Sequence, residues 1–462
     1  MIRVLNIYIP ARTLLLGISE VVLVCMAFTL AAVLRLGKDA QPLLTDENGL
    51  LKIAVMAGIY LLCMYYLDLY DSRILSSRHE VLTRLLQVVG VGTVILALIY
   101  YAYPEAQLGK GIFLLGLLLV FPTLILWREL FFHIVNSAHL SEKMVVVGHG
   151  PMAQAVSEEV QRRPETGLDV IGWVDVSKNG FAMNGLPYIG ELSSLQELVQ
   201  RHKVSRIVVA MEDRRGQLPM DDLLALKLQG AIVQDGADIY ESVTGKVPVA
   251  SLRPGWLLFT PGFQRPRKLY WYKQFVSFTL SLIALIVGLP LFLIIAIAIK
   301  LDSKGPVIFR QQRIGKNGKP FNVFKFRTMI ENADADGKAR PATDDDERFT
   351  RVGRWIRRTR LDEIPQLYNI LRGDMHFVGP RPFVRDQEEE CVRQIPFYRQ
   401  RWAVKPGVTG WAQINRGYCA TLEDNIEKAA YDIYYIKHMS VGLDLLILFQ
   451  TVKTVLLGRG SR

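Results

Sequence analysis

Four apolar stretches dominate the first third of the chain, near Leu14 to Leu36, Leu51 to Leu69, Val81 to Tyr103 and Gly111 to Val135. Each is close to the ~20 apolar residues that cross a hydrocarbon core of ~30 Å. The pattern therefore predicts four transmembrane helices within residues 1–138. The first stretch is too long for a signal-peptide core, and no small-residue cleavage pattern follows it, so it reads as a membrane anchor. Four spans return the chain to its starting side. The loop between spans two and three carries Arg73, Arg78 and Arg84; the other two loops carry Arg35 with Lys38 and then Lys110, and Arg3 and Arg12 precede the first span. By the positive-inside tendency, both ends of the bundle face the cytoplasm.

After Ser141 the period changes. Lys-Met-Val-Val-Val-Gly opens as a buried strand, Gly148-His-Gly150-Pro-Met-Ala153 turns, and Gln154 to Arg162 has helical spacing. Further strands are predicted at Asp169 to Val174 and Arg206 to Ala210, and helices at Ser193 to His202 and Asp221 to Gln229. This is a Rossmann-like domain, assigned to residues 139–262. Its Gly-x-Gly-x-x-Ala turn would set backbone N–H groups near a pyrophosphate, with Asp175 in reach of a ribose. The same glycines close any tight strand-to-helix turn.

A fifth apolar segment, Phe275 to Ile299, contains no charged residue and is flanked by Lys273 and Lys300. Length alone makes it a span, which would export everything after Lys300. Phosphorylated, nucleotide-activated small molecules are cytoplasmic, so a phosphate-handling domain outside would have nothing to act on. Gly288-Leu289-Pro290 lies mid-segment, and the proline removes one helical hydrogen bond and crowds the carbonyl four residues back. The segment is expected to be a re-entrant helix over 275–300, bent at Pro290, that enters and leaves on one face.

Composition agrees with a composite protein. Half of the 462 residues are hydrophobic, yet 55 Lys and Arg stand against 44 Asp and Glu. Residues 300–410 hold 23 basic and 15 acidic side chains, a surplus that makes up most of the net +11. Such a region suits phosphorylated ligands or anionic headgroups. Cys25, Cys63, Cys391 and Cys419 form no Cys-x-x-Cys and suggest neither a disulfide framework nor a zinc site.

The chemistry concentrates after the fifth segment. Phe321-Asn-Val-Phe-Lys325-Phe326-Arg327-Thr328-Met329 alternates in strand fashion, putting Lys325 and Arg327 on one face. That row either meets an acidic headgroup or is the wet face of a half-buried strand. Asp362 and Glu363 follow Arg357, Arg358 and Arg360 and precede Arg381, in Gly379-Pro380-Arg381-Pro382. A helix is predicted from about Asp362 to Leu371, with Pro365 in its first turn and Gly373 as its stop. Both carboxylates would then lie at the positive end of the helix dipole, with depressed pKa values. Guanidinium groups beside them seek carboxylate or phosphate, and an anionic substrate with a divalent metal is implied.

These runs, with Leu-Asp-Glu-Ile-Pro-Gln-Leu-Tyr-Asn-Ile-Leu-Arg-Gly-Asp-Met and Lys405-Pro-Gly407-Val-Thr409-Gly410-Trp411-Ala-Gln413-Ile-Asn415, stand in an order that resembles the bacterial sugar transferases, the monotopic polyprenyl-phosphate hexose-1-phosphate transferases. The match covers about the last 190 residues, and the full arrangement is similar to the large members that initiate exopolysaccharide or O-antigen assembly. The resemblance implies transfer of a sugar 1-phosphate from a UDP-sugar to undecaprenyl phosphate, with release of UMP and with Mg²⁺. It maps the nucleophile onto Asp362 and the second carboxylate, metal ligand or proton acceptor, onto Glu363; both are candidate metal ligands. Lys325, Arg327, Arg357 and Arg381 would hold phosphates. Gln413 and Asn415 line the sugar-nucleotide site or belong to a turn packed by Trp411, and Asp432 touches ligand or pairs with an arginine. The family's bent membrane helix matches Pro290, although Leu289 stands where small members carry Ser.

The fold class expected is thus a membrane protein: a four-helix transmembrane bundle, a Rossmann-like α/β middle domain, and an α-rich α+β transferase domain over 263–462 with a proline-bent re-entrant helix. Its expected place is the bacterial inner membrane, with catalysis on the cytoplasmic face. The partners implied are a UDP-sugar, undecaprenyl phosphate and the phospholipid bilayer, with no nucleic acid; the bundle and the middle domain both offer surfaces for a homodimer. Two rivals stand beside this reading. A membrane-tethered NAD-dependent nucleotide-sugar dehydratase or epimerase would use a Tyr-x-x-x-Lys pair, and the chain contains none. A catalytically inactive scaffold of polysaccharide assembly would have no need of an intact Asp362-Glu363.

Overall fold

The computed structural model describes residues 2–4, 7–71, 74, 78–135, 141–176, 183, 185–214, 217–252, 254–264, 267–331, 333, 346–416 and 421–457. Arg73 and Cys419 lie outside the described residues. The chain forms two compact units, the first made mainly of Tyr8–Gly236 and the second mainly of the residues from Ala237 onward.

The first unit opens with four long apolar helices, α1 (Ala11–Leu36), α2 (Gly49–Tyr66), α3 (Arg78–Ala102) and α4 (Lys110–Val135). All four contain windows long and apolar enough to cross a membrane, as does a fifth helix described below. They share one core, in which Phe28 of α1, Tyr60 and Met64 of α2, Leu85 and Leu96 of α3 and Val120 and Leu124 of α4 are buried together. Close approach depends on Gly116, where a Cβ would run into the Phe28 ring. Outward positions such as Leu15, Leu98 and Leu118 remain exposed, as expected of helices whose outer surface meets lipid. Within this apolar group, Arg128 and Glu20 form a buried ion pair at 2.6 Å. Tyr70 donates to the same carboxylate at 2.6 Å, and Arg128 also donates to the Leu69 carbonyl.

The α/β part of this unit follows the βα alternation read from the sequence. Strands β1 (Glu142–Val147), β2 (Leu168–Asp175), β3 (Tyr188–Glu191), β4 (Arg206–Val209) and β5 (Ile232–Asp235) make one parallel sheet in the order β3-β2-β1-β4-β5. Helices α5 (Pro151–Gln161), α6 (Leu195–His202) and α7 (Met220–Leu228) connect the strands. Val145, Val147, Ile207 and Val209 bury the sheet against Leu195, Leu223 and Leu226. The central strand order with helical crossovers is that of a doubly wound sheet.

The second unit begins with α8 (Gly236–Thr244) and is dominated by α9 (Arg267–Asp302), 36 residues long with Pro290 inside it. An antiparallel hairpin follows, β6 (Ile308–Ile314) and β7 (Pro320–Phe326). Then come α10 (Arg351–Arg358), α11 (Gln366–Arg372), β8 (His376–Val378), α12 (Arg385–Gln394) and β9 (Gly407–Thr409), which pairs in parallel with β8. The chain closes with α13 (Trp411–Asn415), α14 (Leu422–His438) and α15 (Val441–Leu456). Both ends of α9 are fastened to this unit. Lys273 lies 2.6 Å from Asp444 of α15, Ile295 and Ile299 pack with Phe326 and Ile356, and Asp302 accepts from the Val352 N–H. Between these ends Ile286, Val287, Leu289 and Leu293 are exposed.

Candidate active site

Asp362 and Glu363 do not open a helix. They sit on a separate 3-10 turn, Leu361–Glu363, and α-helical bonding starts only at Gln366. The correction has a local cause. Glu363 N–H bonds back to Arg360, Ile364 to Leu361 and Leu367 to Ile364, all three-residue steps, while Pro365 has no N–H to give to Leu361. Arg360, just before the turn, takes a left-handed φ of 60°. That costs a non-glycine residue about 1 kcal/mol or more, and it folds the carboxylates back between α10 and α11.

Lys325 arrives from the end of β7, and Arg381 from the segment after β8. Lys325 Nζ donates to Glu363 Oε1 at 3.0 Å and stands 3.7 Å from Asp362 Oδ2. Arg381 grips Glu363 with both terminal nitrogens, Nη2 to Oε1 at 2.6 Å and Nη1 to Oε2 at 3.3 Å. The Arg360 guanidinium approaches the same carboxylate at 3.8 Å. Burial alone would raise the Glu363 carboxyl, but Arg381 and Lys325 together hold it well below the usual range. Asp362 goes the other way. Burial lifts its pKa, only partly offset by Lys325, and ionised Glu363 adds to the rise. The depressed value expected for both carboxyls therefore holds for Glu363 and fails for Asp362, because desolvation, with the neighbouring Glu363 charge, outweighs Lys325 and the more distant Arg381 and Arg360.

Residues that the sequence did not single out set this geometry. Asn369, fully buried on α11, accepts from the Phe324 N–H and donates to the Asn322 carbonyl, so it ties the strand of Lys325 to the helix behind the carboxylates. Arg313, half-buried beside Arg381, donates to the Pro382 carbonyl at 2.6 Å, and desolvation with the neighbouring Arg381 cation lowers its pKa to about 10. Arg401 is paired with Asp432 at 2.8 Å and Glu388 at 3.3 Å and donates to the Arg381 carbonyl at 2.8 Å. It thus holds the backbone that presents Arg381. Asp432 is the arginine partner, one of its two expected roles. The signal for this trio was only the presence of charges in apolar surroundings.

Other candidates stand apart from the pair. Arg327 lies one residue past the end of β7, so the row begun by Lys325 is not continued; its Nη2 donates to the Ser303 carbonyl and hydroxyl at 2.8 Å, at the end of α9. The Arg357 guanidinium rests 4.5 Å from the centre of the Phe349 ring. Gln413 donates to the Val408 carbonyl and Asn415 to the Trp411 carbonyl. Trp411 itself donates to Gly245 and stacks on Tyr434, the packed-turn arrangement. Pro290 lies within the exposed stretch of α9.

In the α/β part, acidic side chains flank the glycine turn. His149 Nδ1 pairs with Asp175 Oδ2, and a Cβ on Gly150 would lie 3.0 Å from Glu212 Oε1. Pro151 removes one N–H from the start of α5. An anion at that turn would meet a carboxylate and one donor fewer.

Carboxylate oxygens are hard donors of the kind Mg²⁺ takes, in sites that commonly combine one or two carboxylates with substrate phosphates, and the lysine and arginine beside them suit the phosphate oxygens. Among the described residues no group of three or more His, Cys, Asp or Glu gathers to hold a metal by itself. Asp362 and Glu363 therefore fit such an ion only together with a bound diphosphate.

The molecule is a membrane protein with a buried carboxylate pair set among lysine and arginine. Residues 268–458 match the family described as bacterial sugar transferase, and residues 66–217 match one described as a CoA-binding domain. The chain is 34% identical over 323 residues to the UDP-glucose:undecaprenyl-phosphate glucose-1-phosphate transferase of Escherichia coli, covering 69% of this chain and 68% of that protein. It is 42% identical over 228 residues to a UDP-N-acetylgalactosamine-undecaprenyl-phosphate N-acetylgalactosaminephosphotransferase of Aeromonas hydrophila, covering 48% and 52%. It is 28% identical over 355 residues to an undecaprenyl-phosphate galactose phosphotransferase of Salmonella typhimurium, covering 72% of each. The chain thus spans between about half and three quarters of the length of these relatives. It belongs to the bacterial sugar transferase family.

Proposed function

We propose that this protein transfers a hexose 1-phosphate from a UDP-sugar to undecaprenyl phosphate, releases UMP, and so initiates assembly of a surface polysaccharide. The observation that carries the reading is the unequal treatment of two adjacent carboxylates. Glu363 is held by three cations, Lys325, Arg381 and Arg360, whereas Asp362 has one cation at 3.7 Å and a raised pKa. A desolvated carboxylate of raised basicity is the better nucleophile of the pair. Asp362 attacks the phosphorus that bears the sugar, the bond from that phosphorus to the bridging oxygen breaks, and UMP leaves. An oxygen of undecaprenyl phosphate then attacks the phosphosugar-aspartate, which restores the Asp362 carboxylate and yields the lipid diphosphate sugar. Lys325 and Arg381 hold phosphate oxygens while Glu363 keeps both cations in place. Mg²⁺, held by Asp362 and Glu363 with the diphosphate, would supply charge neutralisation. The three relatives' names share undecaprenyl phosphate and differ in the sugar. A panel of UDP-sugars assayed for UMP release identifies the donor.

We also propose that the four spans form a transmembrane bundle in the inner membrane, that the catalytic unit is cytoplasmic, and that α9 is re-entrant. A straight helix of 36 residues is ~54 Å long and would put Lys273 and Lys300 on opposite faces of a ~30 Å core. Yet Lys273 and Asp302 are both bound to one basic, polar unit, which no bilayer interior would accommodate. This supports both ends lying on one face with the turn near Pro290.

The test of the mechanism is covalent trapping. Purified protein in lipid, given UDP-sugar labelled in the β-phosphate without acceptor, should carry label on Asp362, and Asp362→Asn should carry none and release no UMP. UMP release by Asp362→Asn at the wild-type rate would refute the nucleophile. Absence of turnover by the wild type on every UDP-sugar would favour the scaffold.

A further inference from the structure

A second group of cations lies at the other end of α11 from the carboxylates. Gly373 closes that helix, and a Cβ there would sit 3.6 Å from Lys405 Nζ. Lys405 donates to Gln274 Oε1 at 2.7 Å, and its ammonium lies 5.6 Å from the centre of the Tyr270 ring. Lys316, on the β6–β7 turn, stands over the same ring at 4.4 Å and reaches the Tyr270 hydroxyl at 3.4 Å. Among the described residues neither ammonium has a carboxylate within 4 Å; the nearby Lys273 does, in Asp444.

Behind the ring is His376, 2% exposed and edge-on to Tyr270 with centroids 5.5 Å apart. Ser277 Oγ accepts from the Phe377 N–H at 3.4 Å and lies 3.4 Å from His376 Nδ1. Among the described residues His376 Nε2 has no hydrogen-bond partner. Burial, with Lys273 and Lys405 nearby, lowers the His376 pKa to about 3, so the ring is neutral. Two ammonium groups whose acceptors are neutral oxygens thus share one ring, with an unpartnered imidazole nitrogen on the residue packed against it, and what the ammonium groups lack is an anion. Lys405 alone could be explained as a cation at a helix C-terminus. That leaves Lys316 on the same ring, and the orphaned Nε2, without a reason.

The same first turns of α9 carry Trp271 and Phe275, which are 73% and 70% exposed. Aromatic side chains at the start of an apolar helix mark the headgroup layer. We propose that Lys316, Lys405 and Tyr270, backed by His376, bind the phosphate of an anionic bilayer phospholipid and so moor the start of α9 at the interface, apart from the catalytic carboxylates.

Full-length protein, stripped of lipid in detergent, is titrated with dioleoyl phosphatidylglycerol and with dioleoyl phosphatidylcholine and read by native mass spectrometry. One phosphatidylglycerol should bind saturably, with phosphatidylcholine at least about tenfold weaker. The double variant Lys316→Gln, Lys405→Gln should lose about tenfold or more in affinity, as expected for two charged contacts, and the double arginine variant should retain it. Unchanged affinity in the glutamine double variant overturns the site. Inorganic phosphate that binds alone and displaces the lipid at equal concentration overturns the lipid as the source. If the double variant does not fold, Lys316→Gln, on a hairpin turn, carries the test by itself, and wild-type affinity in it is equally fatal. The measurement needs no turnover, so its outcome is separate from that of the transferase reading.

Discussion

Replacing Lys325 by glutamine removes the one cation that, among the described residues, lies within 4 Å of Asp362, with a side chain of similar shape. Two unit charges about 4 Å apart interact by about 4 kcal/mol at an effective dielectric constant of ~20. That is a ceiling here, because Lys325 is shared with Glu363 at 3.0 Å and Arg381 also acts on Asp362. Opposite charges at such range shift a carboxyl by roughly 1 to 3 pH units. The sign is fixed. Lys325 favours the ionised carboxylate, so its loss raises the Asp362 pKa further, and the now less compensated Glu363 charge pushes the same way.

The proposed nucleophile works only when ionised, so the acid limb of kcat/KM should move upward by about 1 to 2 pH units in Lys325→Gln. Below the new limb the variant should lose about tenfold per unit of pH beyond any uniform loss from weaker phosphate binding. The assay is UMP release from UDP-sugar and undecaprenyl phosphate across a pH series, with Lys325→Arg as the charge-retaining control. A uniform loss lowers the curve without displacing it. A limb that stays in place, or moves down, refutes the assignment of Asp362 as the group that must ionise.

Arg401→Met strands Asp432 and Glu388 in the interior, so it should cost about 3 to 5 kcal/mol and lower the melting temperature of the protein by on the order of 10 °C; a loss under 1 kcal/mol, by thermal or denaturant unfolding, would contradict the burial of the trio. For topology, a C-terminal reporter on the wild type should be cytoplasmic, together with the N-terminus; a periplasmic C-terminus would remove the re-entrant α9, and Pro290→Ala measured alongside gives the proline's share.

The elements were legible where a single local rule governs them. The four apolar stretches became helices α1 to α4 with bounds within a few residues of those predicted, the fifth became α9, which starts eight residues before Phe275, and the β-branched runs at Val145 and Ile207 became central strands. What escaped the sequence depends on partners distant in the chain. Glu363 takes its cations from 18 residues later and 38 residues earlier, so the parting of the two pKa values is a tertiary effect that a helix-dipole argument on the local segment reverses for Asp362. Glu20 and Arg128 stand out as charges inside apolar stretches, yet their pairing spans 108 residues. The strand that carries Lys325 ends at Phe326, and the Arg327 side chain is bonded to Ser303 rather than to the carboxylates, a contact 24 residues back that alternation does not reveal.

The division of labour within Asp362-Glu363 follows from a conflict that electrostatics must settle. Two adjacent buried carboxylates cannot both be stabilised as anions by the same few cations, because each cation held close to one is held farther from the other. Arg381 commits both terminal nitrogens to Glu363, and Lys325 is nearer to Glu363 by 3.0 against 3.7 Å. Glu363 is thereby a fixed counterion, poorly nucleophilic and costly to detach. Asp362 is left with its charge only partly compensated, which is the state a nucleophile must have in order to gain by forming a bond to phosphorus. When the diphosphate enters, its oxygens compete for Lys325 and Arg381, and Glu363 keeps those cations oriented rather than collapsed onto Asp362. Exchanging the two residues in a double variant, Asp362→Glu with Glu363→Asp, would keep the total charge and move each carboxylate by one methylene. Such a protein would bind donor and fail to form the adduct, because the clamp would no longer close on the residue that holds it open.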